Sequence, residues 1–358
     1  MATIRNPVNQ NTVIDLSPAL EVIQPQYGQY AESGLFTEQG IVANTHMYKV
    51  VDNGNTKMTE LTSRVGREAM ALDKARDKLI TMGSITLKEI GSVHVEDLIG
   101  VSNGLFSLDS PTYQEETVRV LTRLANVGAA NKEYLLTTAT QGKVLDPRDG
   151  SVAIDQYANT GTNQATATIT AAPTADIKAS IATLANQISE LNGYNGNVGT
   201  IEVVLGETAF NAIVNHPDFA ALYQLAFTGL GQQTLQQPML NGGMAINQRT
   251  QYGYRREFRW DNFLFVTYPQ KFRRWNNDLV DIVAANKGWT IVHGVTGLYQ
   301  VKYCPAPYVS TFNQAGTKWL ARSTGIVDDT HTDITLESHL IPFMQRPEMA
   351  IDITVTTV

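Results

Sequence analysis

Residues 110–141, SPTYQEETVRVLTRLANVGAANKEYLLTTATQ, read as one uninterrupted helix. Asp109-Ser110-Pro111 offers a serine N-cap and a proline at the first helical position, where its missing N–H is not needed. Glu115 and Glu116 stand in the early turns, where negative charge complements the helix dipole. Val118, Leu121, Leu124, Ala125 and Gly128 trace one face, continued by Leu135 and Leu136, and Gly142 supplies the stop. About thirty residues at 1.5 Å each give a rod of roughly 45 Å, long for a globular helix without a heptad seam.

The stretch ahead of this rod, Lys57–Asp97, carries 14 charged residues in 41, twice the density of the whole chain, and its signs nearly balance. Such a stretch contributes little to a core. From Thr45 the sequence alternates through Met47, Lys49 and Val51 to the turn Asp52-Asn53-Gly54-Asn55, where Asn-Gly supplies the positive φ angles of a tight hairpin. A second alternating run covers Ile80–His94, interrupted by Gly83 and Gly91. Residues 45–95 are therefore expected to form a long two-stranded arm, with a helical turn as the alternative for Met70–Lys78. A lone two-stranded ribbon is marginal in water and needs another surface to lie on.

The bulk properties bound the function. A chain of 358 residues holds two or three domains. Its hydrophobic content of 43% is that of a folded protein. A net charge of −7 argues against a chain-wide nucleic-acid binder, which needs clustered positive charge. Cys304 is the only cysteine, so an intramolecular disulfide and a zinc site with two Cys ligands are both excluded. It reads as a small buried residue in a reducing compartment. Residues 1–16 lack the apolar run of a signal peptide, and no stretch approaches eighteen consecutive apolar residues, so the expectation is a protein made in the cytosol that spans no membrane.

Elsewhere, residues 1–44 read as an extended arm, draped over its own domain or over another subunit. Asp146-Pro147-Arg148-Asp149-Gly150 is a turn. Residues 156–171 are small and polar, an exposed strand or a linker. A helix over Thr174–Asn192 places Ile177, Ile181, Leu184, Ile188 and Leu191 on one stripe. The strand Ile201–Leu205 and a helix from Glu207 follow, the signature of a mixed α/β domain. After a Gly/Gln-rich loop at 229–251 come strands at Phe263–Tyr268, Leu279–Ala284 and Leu298–Tyr303, and a last strand over Ala350–Thr356.

No catalytic, cofactor or metal centre emerges. The six histidines have no helical zinc spacing, and Asp328-Asp329-Thr330-His331-Thr332-Asp333, the one acidic-histidine cluster, reads chiefly as a solvated loop. Asp146 and Asp149 sit in a Pro/Gly turn, unsuited to general acid–base work. Gly229-Leu230-Gly231 lacks the lysine of a phosphate-binding loop. The segment Tyr254–Trp260, with Arg255, Arg256 and Trp260, and the run Lys271–Trp275 join arginines to aromatics. Three readings stay open for them: stacking on single-stranded bases, a subunit interface, or an ordinary half-buried strand.

The ordered set of motifs resembles a known family. Thr62-Ser63-Arg64-Val65-Gly66-Arg67-Glu68-Ala69, Val95-Glu96-Asp97-Leu98-Ile99-Gly100, Lys143-Val144-Leu145-Asp146 and Trp260–Tyr268 carry the likeness. So do Tyr303-Cys304-Pro305-Ala306-Pro307-Tyr308, Leu336-Glu337-Ser338-His339-Leu340-Ile341-Pro342 and Arg346-Pro347-Glu348. The chain resembles the tailed-bacteriophage major capsid proteins of the Hong Kong 97 fold, in particular the lambda-type major capsid protein E family.

That resemblance implies an α+β fold. Its parts would be an N-terminal arm (1–44), an extended loop (45–95), a peripheral domain (96–173 with 321–358) around the spine helix of about 110–141, and an axial α/β domain (174–320). It implies a non-enzymatic shell subunit that forms pentamers and hexamers around packaged double-stranded DNA. A separate scaffold, a portal and a decoration protein would be its partners, and no cofactor is implied. Lys57, Arg64, Arg67, Glu68, Lys74, Arg76, Asp77, Arg255, Arg256 and Trp260 are the candidate inter-subunit contacts. An encapsulin-like compartment shell, another virion structural protein and a two-domain enzyme are the competing readings.

Overall fold

A computed structural model describes residues 14–20, 23, 26–50, 78–94, 96, 111–193, 198–219, 246–250, 253–327 and 330–357. The chain divides into two compact units, one drawn from residues 1–46, 82–137 and 300–342, the other from 47–81, 138–299 and 343–358.

The first unit is built on a six-stranded sheet. Ile14–Asp15, Leu320–Val327, His331–Met344, Tyr299–Tyr303 and Thr37–Gly40 follow one another, and Ile85–His94 pairs along the other side of His331–Met344. The helix Pro111–Ala139 covers it, and Tyr113, Leu121, Leu124, Val93, Ala321, Ile334 and Leu336 form the core between them. Val118, expected on this face, is 53% exposed. Tyr113, Leu121 and Leu124, with Val120 packed beside them, carry the contact instead. The serine proposed as N-cap, Ser110, lies outside the described residues.

One expectation about the arms changes, and the choice left open for the other narrows where it is described. The alternating run Ile80–His94 is not one limb of a ribbon. Lys78–Gly83 pairs with Thr45–Val50, whereas Ile85–His94 joins the main sheet in register from His94 opposite His331 to Ile85 opposite Leu340. Burial decides this, because in the sheet Leu87 and Val93 leave water. The turn at 52–55 and the segment Met70–Asp77 lie outside the described residues. The N-terminal arm, where it is described, lies on its own unit. Ile14–Asp15 runs antiparallel to Arg322–Ser323, and Thr37–Gly40 runs parallel to Gln300–Tyr303.

The second unit holds a seven-stranded sheet in the order Ile246–Thr250, Gly253–Trp260, Phe263–Thr267, Ile201–Leu205, Lys287–Val292, Asp352–Thr356, Thr166–Thr170. Ile201–Leu205 is buried along its whole length, Glu202 included, whose carboxylate accepts from Arg255. Asp176 caps the helix Ile177–Leu191 by accepting from the Ala179 N–H at 3.0 Å, and Ile177, Ile181, Leu184 and Ile188 form its buried stripe. The helix Glu207–Val214 buries Ala209, Phe210 and Ile213.

Leu279–Ala284 is a strand only at Leu279–Val280, paired with Phe272–Arg273. The strand that completes the sheet is Lys287–Val292, whose Asn-Lys-Gly entry hides it in the sequence. Gly288 is required there, since a Cβ would stand 2.3 Å from the Val204 carbonyl oxygen. Residues 156–171 form the helix Gln156–Thr160 and the strand Thr166–Thr170. The Gly/Gln-rich loop ends early, in the strand Ile246–Thr250, and residues 220–245 lie outside the described part.

Gly142 stops the long helix in the left-handed region, at φ 78°, and its N–H donates to the Ala139 carbonyl. A Cβ at this position would stand 2.6 Å from the Tyr157 ring, whose hydroxyl donates to the Gln141 and Ala350 carbonyls. Gly142→Ala therefore meets both strain and overlap. The expected loss is about 2–4 kcal/mol, read as a lower urea midpoint of the unassembled subunit; an unchanged midpoint would show that Tyr157 is free to move aside.

Candidate functional site

The residues nominated from the sequence separate into two groups. Lys57, Arg64, Arg67, Glu68, Lys74, Arg76 and Asp77 lie outside the described residues. Arg255, Arg256 and Trp260 stand on the strand Gly253–Trp260 and are engaged within their own unit. Arg255 is buried, its Nη2 donating to Glu202 Oε1 at 3.1 Å and its Nε 2.8 Å from Glu257 Oε1. His293 Nε2 lies 2.9 Å from the second oxygen of Glu202. The Arg256 guanidinium covers the Phe210 ring at 4.7 Å, and Trp260 packs on Phe219 at 5.1 Å beneath the Lys178 ammonium. For Arg255 the half-buried strand is the reading this geometry carries.

Of the other sequence candidates, Asp146 and Asp149 accept from the Arg148 and Ser151 N–H groups, both at 2.8 Å, as turn carboxylates do. Cys304 is buried, and burial pushes its thiol up, away from the thiolate a nucleophile needs.

Sequence reasoning missed the most exposed large apolar side chains among the described residues. Val309 is 96% and Phe312 84% exposed, three residues apart in the segment after Tyr308. That segment is held firmly. Thr311 Oγ1 donates to the Ala306 carbonyl at 2.6 Å, the Arg322 guanidinium stacks on the Tyr308 ring at 3.7 Å, and the Tyr308 hydroxyl donates to buried Glu337. In the other unit Trp275 is 74% exposed, with the Arg148 guanidinium 5.8 Å from its ring centre, and Leu279 is exposed nearby in sequence. Trp, Phe and Arg presented on anchored turns are the composition of an interface. The nearest sequence signal was the Lys271–Trp275 run.

A second cluster fastens the N-terminal segment to the long helix inside the first unit. Glu133, fully buried, accepts from the Tyr30 N–H at 2.9 Å and the Ala31 N–H at 2.8 Å. Beside it Lys132 Nζ donates to Glu38 Oε1 at 2.8 Å, and the Tyr303 hydroxyl donates to the same oxygen at 2.9 Å. Burial, with the charge of Lys318 adding to it, pushes the Lys132 ammonium down to about 8. Burial alone would raise Glu38, but the charge and hydrogen bond of Lys132, with the Tyr303 hydroxyl, more than offset it and hold the carboxyl below its usual range.

Removing one partner strands the other. Lys132→Met should cost the unassembled subunit about 2–3 kcal/mol, the low end for a buried pair because Glu38 is one-third exposed. Lys132→Met with Glu38→Leu should recover most of it. The folded pKa of Lys132 lies below the unfolded one, so between about 8 and 10.5 the unfolded chain holds the extra proton. The charged form costs stability below that window, and the cost is relieved as pH rises through it. Urea midpoints at pH 7.5 and 10 should therefore show wild type gaining on Lys132→Met; a constant difference would contradict the burial argument.

Comparison with known proteins adds the identity. Residues 12–355 match the family model of phage major capsid protein E. The crystal structure of a protein assigned as a prophage capsid protein of E. coli CFT073 gives a TM-score of 0.54 at 11% identity, covering 96% of this chain and 100% of that one. The mature capsid of bacteriophage PhiM1 gives 0.44 at 10% identity, with 90% and 85% covered. The virus-like particle from Pyrococcus furiosus gives 0.42 at 8%, with 94% and 95% covered. No curated protein matches. With a family match that runs through both units and a fold likeness that covers nearly the whole chain, this protein belongs to the phage major capsid protein E family and has the Hong Kong 97-type fold.

Proposed function

We propose that this chain is the repeating subunit of a tailed-phage head, closing as pentamers and hexamers into an icosahedral shell around double-stranded DNA. The observation that carries this beyond family membership is the pair Val309 and Phe312, almost fully exposed on an anchored segment. Burying such side chains against a second copy gains about 1.5–3 kcal/mol each. Rigid anchoring keeps the ordering cost of binding low.

In this reading residues 1–44 are the N-terminal arm, and the reaching part of the extended loop lies within residues 45–95. The peripheral domain of this reading follows the first compact unit, around the long helix, and the axial domain the second; the boundaries expected at 173/174 and 320/321 move, because Thr166–Thr170 and Asp352–Thr356 share a sheet with Ile201–Leu205. The charges at Lys57, Arg64, Arg67, Glu68, Lys74, Arg76 and Asp77 pair with a neighbour, weakly one by one and usefully in number. The role is mechanical and calls for no catalysis. Assembly takes place in the host cytoplasm with a separate scaffold and a portal. Among the described residues no helix is long and apolar enough to cross a membrane. The net charge of −7 suits a wall that encloses DNA without gripping it.

Three measurements test the reading. Val309→Ser with Phe312→Ser should leave the circular dichroism of the unassembled subunit unchanged and reduce shell yield about tenfold or more; wild-type yield would remove this surface from the interface. Deleting Lys57–Asp77 should leave a folded subunit that does not assemble, and normal shells from that variant would refute the loop assignment. Purified wild-type protein that stays a 39.3 kDa monomer under every condition would sink the shell reading itself. Shells filled with a host enzyme would transfer it to a cargo compartment.

A further inference from the structure

His94 and His331 are 237 positions apart in sequence, and the fold sets them directly opposite each other on antiparallel strands. The next rung on the same face, two residues along each strand, pairs Ser92 with Asp333. Four polar side chains thus share one small patch at the end of the first unit's sheet. We propose that His94, His331 and Asp333 form a binding site for a divalent transition ion of the zinc, nickel and copper class, which imidazole nitrogen favours.

The spacings fit that chemistry. Two imidazoles holding one tetrahedral ion at 2.0–2.1 Å place their ring centres about 5 Å apart, and any two of its donor atoms about 3.4 Å apart. The ring centres of His94 and His331 are 5.1 Å apart, at an interplanar angle of 32°. His331 Nε2 stands 3.6 Å from Asp333 Oδ1.

Outer partners complete the arrangement. Thr330 Oγ1 lies 2.8 Å from His331 Nδ1. With the proton on Nδ1 and donated to that hydroxyl, the Nε2 lone pair faces Asp333. Ser92 Oγ donates to Asp333 Oδ1 at 2.6 Å and fixes the carboxylate. Such orienting hydrogen bonds are what metal-ligating histidines and carboxylates carry. Among the described residues no three ligating groups already converge on a point, so in this proposal the site closes by rotation of the exposed His94 ring. Water fills the outward position.

An ion held there would join the end of Ile85–His94 to the start of His331–Met344 by a bond that does not depend on burial. The consequence is local to the subunit, and it stands or falls separately from the shell assignment.

The test uses the full-length unassembled subunit. Calorimetric titration with Zn²⁺ should give one ion per chain, reversed by chelator, and Co²⁺ should give the absorption of a tetrahedral nitrogen–oxygen site. His94→Gln and His331→Gln should each weaken Zn²⁺ binding about tenfold or more, and Ser92→Ala by less, while His46→Ala leaves it unchanged. Both histidines are at the surface of their strands, so circular dichroism should confirm that the variants fold. No heat of binding up to about millimolar Zn²⁺, a range in which binding is worth only some 4 kcal/mol, would overturn the proposal. So would an affinity that survives both histidine substitutions.

Discussion

The constraint on which the rest depends is the burial of the long helix's last turns. From Lys132 to Thr140 every residue is buried, and five of the nine are polar or charged. Each polar group left without a partner there would cost about 1–3 kcal/mol. The fold supplies the partners. Glu133 takes two N–H groups of the N-terminal segment, Lys132 takes Glu38, Thr138 Oγ1 takes the Leu145 N–H, and Thr140 Oγ1 takes the Trp289 Nε1–H. Residues 30–38 are therefore not an appendage of the first unit. They complete the hydrogen bonding of a helix that could not be buried without them.

This arrangement separates two kinds of polar chemistry. Inside each unit, charges are neutralised by fixed partners: Lys132 by Glu38, Arg255 by Glu202 and Glu257, Glu337 by Lys88 and the Tyr308 hydroxyl. Such pairs specify register more than they add stability, because desolvation consumes most of their attraction. The charges of 57–77 are the second kind: their signs nearly balance, and in the proposed reading their partners belong to a neighbouring copy.

Much of the fold was legible because it is local. The stop of the long helix at Gly142, the stripe from Ile177 to Ile188 and the strand Ile201–Leu205 follow from spacing within a few residues. The failures are non-local. Nothing in Ile80–His94 says that the chain changes partner at Ser84, because both halves alternate equally well and only the strand His331–Met344 distinguishes them. Lys287–Val292 was hidden by a glycine that looks like a turn residue and is there for close strand packing. The three readings left open for Arg255 could not be separated until Glu202, 53 positions earlier, was placed beside it. The candidate interface was least legible of all. Val309 and Phe312 are ordinary apolar residues in the sequence, and only their exposure on a fixed segment sets them apart.

That exposure bears on how an acidic subunit associates with copies of itself. Like-charged copies repel over about a Debye length, roughly 10 Å at ordinary salt, so association needs short-range terms that act once surfaces touch. Apolar knobs on anchored turns provide them with little ordering entropy to lose. Each contact can then stay weak, and a shell of many weak contacts can release a misplaced subunit before closing around it. A subunit that satisfied every apolar group within itself would lose that grip. One that exposed a broad apolar face would aggregate before it reached the correct neighbour.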